Sequence, residues 1–253
     1  MFETTPHGDV VLLTMQHGKA NVQDLEFLRA FVEQLDTLER DAVGAVVLTG
    51  TGSVFSAGVD LIRLVDGGDA YLREFLPALT SAFRRLFRFP RPVVAAVNGH
   101  AMAGGCVLVC ACDRRLMAQG AGRIGVTEMR VGVPFPTVGF EIVRYAVGSR
   151  WTQELVLLAE TYHADEAMER GLVDEVVAAE ALVPRAVDVA AQLAAIPRRT
   201  FELTKRQFRA PALARIAELE ERFEPEVTAA WQDPEMRRAI EAFVQQHLRR
   251  GTG

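Results

Sequence analysis

This chain predicts an α/β fold, on three observations. Short apolar runs recur near residues 10, 45, 93, 114 and 174, helical apolar spacing fills most of the intervals, and from Pro197 onward the sequence is almost entirely helix-forming. That rhythm assigns residues 1–196 to an α/β core and residues 197–253 to a helical C-terminal region. The 253 residues, 49% hydrophobic, suffice for one large domain or a domain with a small appendage.

Val10 to Met15 reads as the first strand, and HGKANV breaks it into a loop. Asp24 is a helix N-cap, and Leu25, Leu28, Phe31, Val32, Leu35 and Leu38 form one apolar face of a helix reaching about Glu39. Ala45 to Thr49 is the next strand, followed by the glycine-rich segment GTGSVFSAGVDL. Asp69 to about Arg88 is helical, and FPRP stops it before the strand Val93 to Val97. Arg114 to Met117 and Arg123 to Gly125 are short strands, and helices are predicted over Thr137 to Ala146 and Thr152 to Ala159. Asp165 is read as the N-cap of a helix over Glu166 to Arg170 that Gly171 ends, before a strand from Val173 to Val177. Glu180 to Ala194 is helical, and Asp233-Pro234 caps and opens the last helix. Phe223, Val227, Trp231, Ile240 and Phe243 form apolar faces that the core or another subunit must cover.

The net charge of −5, with Arg and Glu interspersed, gives no basic stripe for a nucleic acid. No apolar run reaches the roughly 18 residues of a membrane span, and MFETTPHGDV lacks the order of a signal peptide, so a cytoplasmic protein is expected. Cys106, Cys110 and Cys112 cluster in one apolar segment and suit buried free thiols. A metal site there would need more ligands than the single imidazole of His100 adds.

The stretch PVVAAVNGHAMAGGCVLVCACD, from Pro92 to Asp113, carries the chemistry. A strand turns at Asn98-Gly99 into a helix that is apolar around its whole circumference and so belongs in the core. Gly104 and Gly105 stand at its start, where the first N–H groups have no partner within the helix and the macrodipole favours negative charge. Such donors can hold an oxyanion. Equally, a Gly-Gly corner lets a strand and a helix pack closely.

Two glycine segments, FSAGVDL (Phe55 to Leu61) and NGHAMAGG (Asn98 to Gly105), followed by IGVTEMRVGVPFP, together resemble the enoyl-CoA hydratase/isomerase, or crotonase, superfamily over most of the chain. The resemblance implies a crotonase-like spiral of ββα turns with a helical C-terminal trimerisation region, a homotrimer or dimer of trimers, and an acyl-CoA thioester as substrate. It implies no metal or redox cofactor, coenzyme A entering only as part of the substrate.

Position for position, the N–H groups of Val59 and Gly104 match the family's two oxyanion donors. Hydratases of the family place one carboxylate three residues after the second donor and another in a following P-E-like element. Here the first position is Val107 and the second is Glu128. One carboxylate can still move a proton between two carbons, whereas hydration needs a positioned water as well. AGGCVLVCACDRRL and LTKRQF (Leu203 to Phe208) accordingly resemble the Δ3-Δ2-enoyl-CoA isomerases of the superfamily.

By that likeness Glu128 is the base, its pKa raised by apolar neighbours, and Val107 keeps water away. Ala57, Gly58, Asp60 and Leu61 are expected to shape the acyl-CoA site, Asp60 alternatively capping the next helix. Thr127 lines the pocket, with Phe135 and Pro136 as further lining or packing residues, and coenzyme A's adenine end lies near Lys19, Ala20 and Asn21. Asp113 is read as structural, Glu141 and Glu154 as exposed helix residues, and Trp231 and Phe243 as core.

Overall fold

The apolar runs of the sequence become the centre of one sheet. In the computed structural model, which describes residues 1–248, β1 (Phe2–His7), β2 (Val10–Met15), β4 (Ala45–Thr49), β7 (Val93–Val97), β9 (Arg114–Ala118) and β11 (Glu175–Val177) lie side by side in that order. All neighbours are parallel except β1, which pairs antiparallel with β2 at the edge. The sequence reading has no β1: beyond its half-buried Phe2 the strand is exposed and carries Pro6, so only pairing with β2 makes it a strand.

Between the strands, α1 (Leu25–Arg40) begins as predicted, with the Asp24 carboxylate accepting from the Phe27 N–H at 2.7 Å. A two-residue β3 (Val22–Gln23) precedes it, and β5 (Val54–Ser56) and β6 (Gly58–Val59) lie within the glycine-rich segment. The long α2 (Leu61–Phe87) starts earlier than Asp69, because Asp60 caps a first piece that Gly68, at φ 56°, separates from the second. β8 (His100–Met102) leads into α3 (Gly104–Ala111), every residue of which is buried.

After β9 come β10 (Ile124–Gly125), the single turn α4 (Glu128–Val131) and α5 (Thr137–Leu158). The two helices predicted inside α5 are its two halves, divided at Gly148 with φ 77°. The N-cap of α6 (Ala164–Glu169) is His163 rather than Asp165: the Glu166 carboxylate accepts from the His163 N–H at 3.0 Å, and Asp165 falls within the first turn. Gly171 ends this segment at φ 71°, as expected. α7 (Leu182–Ala194), α8 (Arg198–Trp231) and α9 (Pro234–Phe243) complete the described chain, with Asp233 capping α9 and Pro234 opening it.

Alternation along the central strands feeds two cores. Val47, Val94, Ala96 and Leu116 face α7 with its Leu182, Ala186 and Val189, while Val46, Leu48, Val93 and Ala95 face the larger core that contains α1, α2 and α3. The helical C-terminal region is pinned to the α/β core by charge. Asp113 accepts from Lys205 Nζ at 2.6 Å and Arg209 at 2.7 Å, both buried on α8, and from the Val93 N–H at 2.8 Å. Burial pushes the Lys205 ammonium down to about 8, against the attraction of Asp113. The structural reading of Asp113 holds.

Candidate active site

Three short parallel strands converge on one edge. β10, β8 and β5 form a second sheet in that order, in which Ala101 is the register partner of both Ser56 and Ile124, and Met102 of Gly125. The chain therefore leaves adjacent carboxyl ends toward Val59, Gly104 and Glu128, which lie two or three residues beyond the last strand residue. Crevices at carboxyl ends of parallel strands are where α/β folds place ligands. Residues far apart in the sequence are gathered by this register.

At the Gly104 end, Ala103 takes φ 48° and hands the chain into α3 without a side-chain cap. The first i to i−4 bond is Val107 N–H to Ala103 O, 3.1 Å, so the N–H groups of Gly104, Gly105 and Cys106 have no acceptor in the helix. At the Val59 end, β6 pairs with β3, Gln23 opposite Val59. The Asp60 N–H donates to Gln23 O at 3.3 Å, so the Val59 N–H, one residue earlier on an extended strand, faces the other edge of β6.

That edge abuts α3. A Cβ added to Gly58 would sit 3.0 Å from Gly104 N and 2.7 Å from Met102 O, and one added to Gly105 would sit 2.3 Å from Ser56 O. Gly105 thus permits the close packing of the Gly-Gly corner, and Gly104 opens a helix end beside the Val59 strand.

Glu128 is the first residue of α4, after Thr127 at the N-cap. It is 9% exposed, and its Oε2 has no hydrogen-bond partner among the described residues. Loss of solvent raises its pKa from 4.5 to about 7, against smaller downward pulls from hydrogen bonds to the Glu128 and Thr127 backbone. Cys106 neighbours it electrostatically, its thiol pushed up by the bond to Cys110 and by burial. Val107 is buried, and a Cβ at Gly139 of α5 would lie 3.6 Å from its Cγ2 and 2.9 Å from Phe135 Cε1. The position of a second carboxylate is therefore an apolar contact.

The profile of the Enoyl-CoA hydratase/isomerase family matches residues 5–247. The chain belongs to that family. It is 30% identical to the mitochondrial enoyl-CoA delta isomerase 1 of Rattus norvegicus over 83% of this chain and 73% of that protein. It is 33% identical to the short-chain-enoyl-CoA hydratase of Clostridium acetobutylicum over 72% of this chain and 71% of that protein. The crystal structure of human mitochondrial delta3-delta2-enoyl-CoA isomerase superposes with a TM-score of 0.92 at 27% identity, covering 100% of this chain and 99% of that one. The fold is the crotonase fold.

Other expected residues of this enoyl-CoA hydratase/isomerase family member have different places in the fold. Asp60 caps α2, accepting from the Arg63 N–H at 3.0 Å. Half-buried Leu61 follows it. The Ala57 N–H donates to Ala20 O at 2.9 Å, which ties the loop of Lys19 and Ala20 to the segment joining β5 and β6; Lys19 itself is exposed. Thr127 is half-buried. Trp231 is buried, and Phe243 packs on the main core.

One expectation fails outright. Glu141 is not exposed: it is fully buried, bonded to Arg144 at 3.1 Å and to Arg215 of α8 at 2.8 Å. Its spacing on α5 looks solvent-facing only until α8 is laid across it. Two further residues frame these strand ends: Asn21, which the resemblance set near coenzyme A's adenine end, and Gln23, which sequence reasoning passed over. Buried Asn21, at φ 47°, donates to Phe55 O at 3.1 Å and accepts from Ser56 Oγ through its carbonyl at 2.7 Å. Gln23 is buried against Gly104, and the polar stretch HGKANVQD in which it stands carries no signal of that burial. A hollow of about 670 Å³ lined by Cys112, Tyr145, Lys205 and Phe208 lies at the α8 anchor and shares no residue with this site.

Proposed function

We propose that the chain is a Δ3-Δ2-enoyl-CoA isomerase in which Glu128 alone moves the proton. The carboxylate takes a proton from C2 of a 3-enoyl-CoA. The electron pair spreads onto the thioester oxygen, where the N–H groups of Val59 and Gly104 hold the charge, each such donor typically contributing about 3 kcal/mol to the transition state. The same carboxyl then delivers the proton to C4, leaving the double bond between C2 and C3. A pKa of about 7 suits this exchange, since a base poised near neutrality both accepts and returns a proton readily.

The observation that carries this reading is one buried carboxylate, Glu128, with an oxygen that has no partner among the described residues, while the position where a second acid would have to stand is the buried, apolar Val107. The likeness to isomerases supports it, and the likeness to a hydratase keeps hydration and thioester hydrolysis as the rival chemistry. A noncatalytic acyl-CoA clamp is the remaining reading. Ala57, Gly58, Asp60, Leu61, Thr127, Lys19 and Ala20 are proposed to surround the acyl-CoA, with no further cofactor. The active form is proposed as a homotrimer or dimer of trimers in the cytoplasm.

Supplying cis- and trans-3-enoyl-CoA and 2-enoyl-CoA of several lengths, and following conjugation, hydration and free thiol, separates these readings. Isomerisation by the native protein that Glu128→Gln abolishes, with acyl-CoA still bound, is the expected result. Retained turnover in Glu128→Gln would reject the assignment.

A further inference from the structure

Gln23 carries a buried side-chain amide that nothing among the described residues satisfies. The residue is 0% exposed, and neither Oε1 nor Nε2 has a hydrogen-bond partner among the described residues. Buried polar atoms are almost always paired, and an exception in a native fold calls for a reason. Its place is the reason offered here. Gln23 lies opposite Val59 in the β3–β6 pair, and its Oε1 would be 2.2 Å, its Nε2 3.3 Å, from a Cβ built on Gly104.

The carboxamide thus lies against Gly104, on the strand that pairs with the Val59 segment; these are the two segments whose N–H groups face one oxygen in the proposed reaction. By covalent geometry its Oε1 is within about 5 Å and its Nε2 within about 6 Å of Gly104 N, so an atom hydrogen-bonded to that N–H lies in the neighbourhood of the amide. Rotation about the last side-chain bond exchanges its oxygen and nitrogen, so either a donor or an acceptor can be presented. Glycine at 104 is required by the amide, because a methyl group there would displace it. An apolar side chain of the same length would pack as well, so the polar atoms are unnecessary for the fold.

We propose that Gln23 is a substrate-binding residue, its Nε2 donating a third hydrogen bond to the thioester oxygen of the acyl-CoA. The assignment rests on the oxyanion reading of Val59 and Gly104. A third donor polarises the carbonyl in the ground state and gains strength as charge arrives on the oxygen, so its loss falls mainly on kcat.

The test compares native protein with Gln23→Leu and Gln23→Glu, using butyryl-CoA labelled with ¹³C at the carbonyl as the bound probe. The infrared carbonyl band of the bound probe is expected to shift to lower frequency in the native protein and to shift back in both variants. With a 3-enoyl-CoA, kcat is expected to fall at least tenfold in Gln23→Leu while KM changes less than threefold. Its Tm should equal or exceed that of the native protein, because an unsatisfied amide has been removed. An unshifted or unbound probe in the native protein, an equal shift in Gln23→Leu, or a Tm drop that tracks the lost activity would overturn the proposal. Failure of isomerisation alone would sink the function proposed above and leave the carbonyl band to decide Gln23.

Discussion

Glu128 is a carboxylate the fold holds at a cost. In the unfolded chain it titrates near 4.5 and in the folded protein near 7, so between those values the native state keeps a proton the unfolded chain has released. Stability from this group is complete below pH 4.5, falls as pH rises to about 7 and stays low above. The difference is roughly 3 kcal/mol at most. Glu128→Gln should therefore be more stable than the native protein at pH 8 by up to that amount and equal to it at pH 4, as urea midpoints would record. The same ionisation should make kcat/KM climb with pH about a midpoint near 7, because only the ionised form is a base. A flat pH–rate profile would remove Glu128 from the chemistry.

Among the elements, α3 decides the site, because its N-terminus must approach β5 and β6 with no side chain between. Gly105 meets backbone there: an added Cβ would lie 2.3 Å from Ser56 O, which cannot move without breaking the β5–β8 pairing. Gly104 meets only the end of the Gln23 side chain, which can swing. Gly105→Ala should thus lose about 3 kcal/mol or more of stability, read from denaturant unfolding. Gly104→Ala should fold with a loss below about 1 kcal/mol yet slow turnover at least tenfold, since the displaced amide intrudes where the thioester oxygen binds. Equal destabilisation of the two variants would mean that the corner serves packing alone.

For the whole molecule, the question is how the C-terminal helices are held on. Asp113 is the shared counter-ion of Lys205 and Arg209, both buried where α8 crosses the end of β7. Asp113→Ala should strand two cations and destabilise the protein by roughly 3–5 kcal/mol. Lys205→Met, which keeps the Arg209–Asp113 pair and replaces the ammonium with apolar volume, should lose far less, and chemical denaturation of both variants checks the contrast. Exposed Leu203, Phe208 and Leu248 on the C-terminal region suit burial between subunits. Light scattering should therefore give a mass that is a threefold or sixfold multiple of 27.8 kDa, and a monomer would reject trimerisation.

Periodicity alone determined the large elements: the five long-range strands, α1 with its Asp24 cap, the all-apolar α3 and the Asp233-Pro234 start of α9 follow from side chains that have one energetically acceptable place. It was the resemblance to the family that nominated Val59, Gly104 and Glu128. What the tertiary structure decided is everything that depends on a neighbour distant in sequence. Strands of two or three residues such as β3, β6 and β8 exist only because another strand is there to pair with, since so few hydrogen bonds cannot hold an isolated segment extended. Edge strand β1 owes its form to β2, buried Glu141 owes its charge partner to α8, and the burial that lifts the Glu128 pKa is a property of the assembled core. Side-chain pattern is local and can be read along the chain, whereas desolvation and pairing are set by what folding brings alongside.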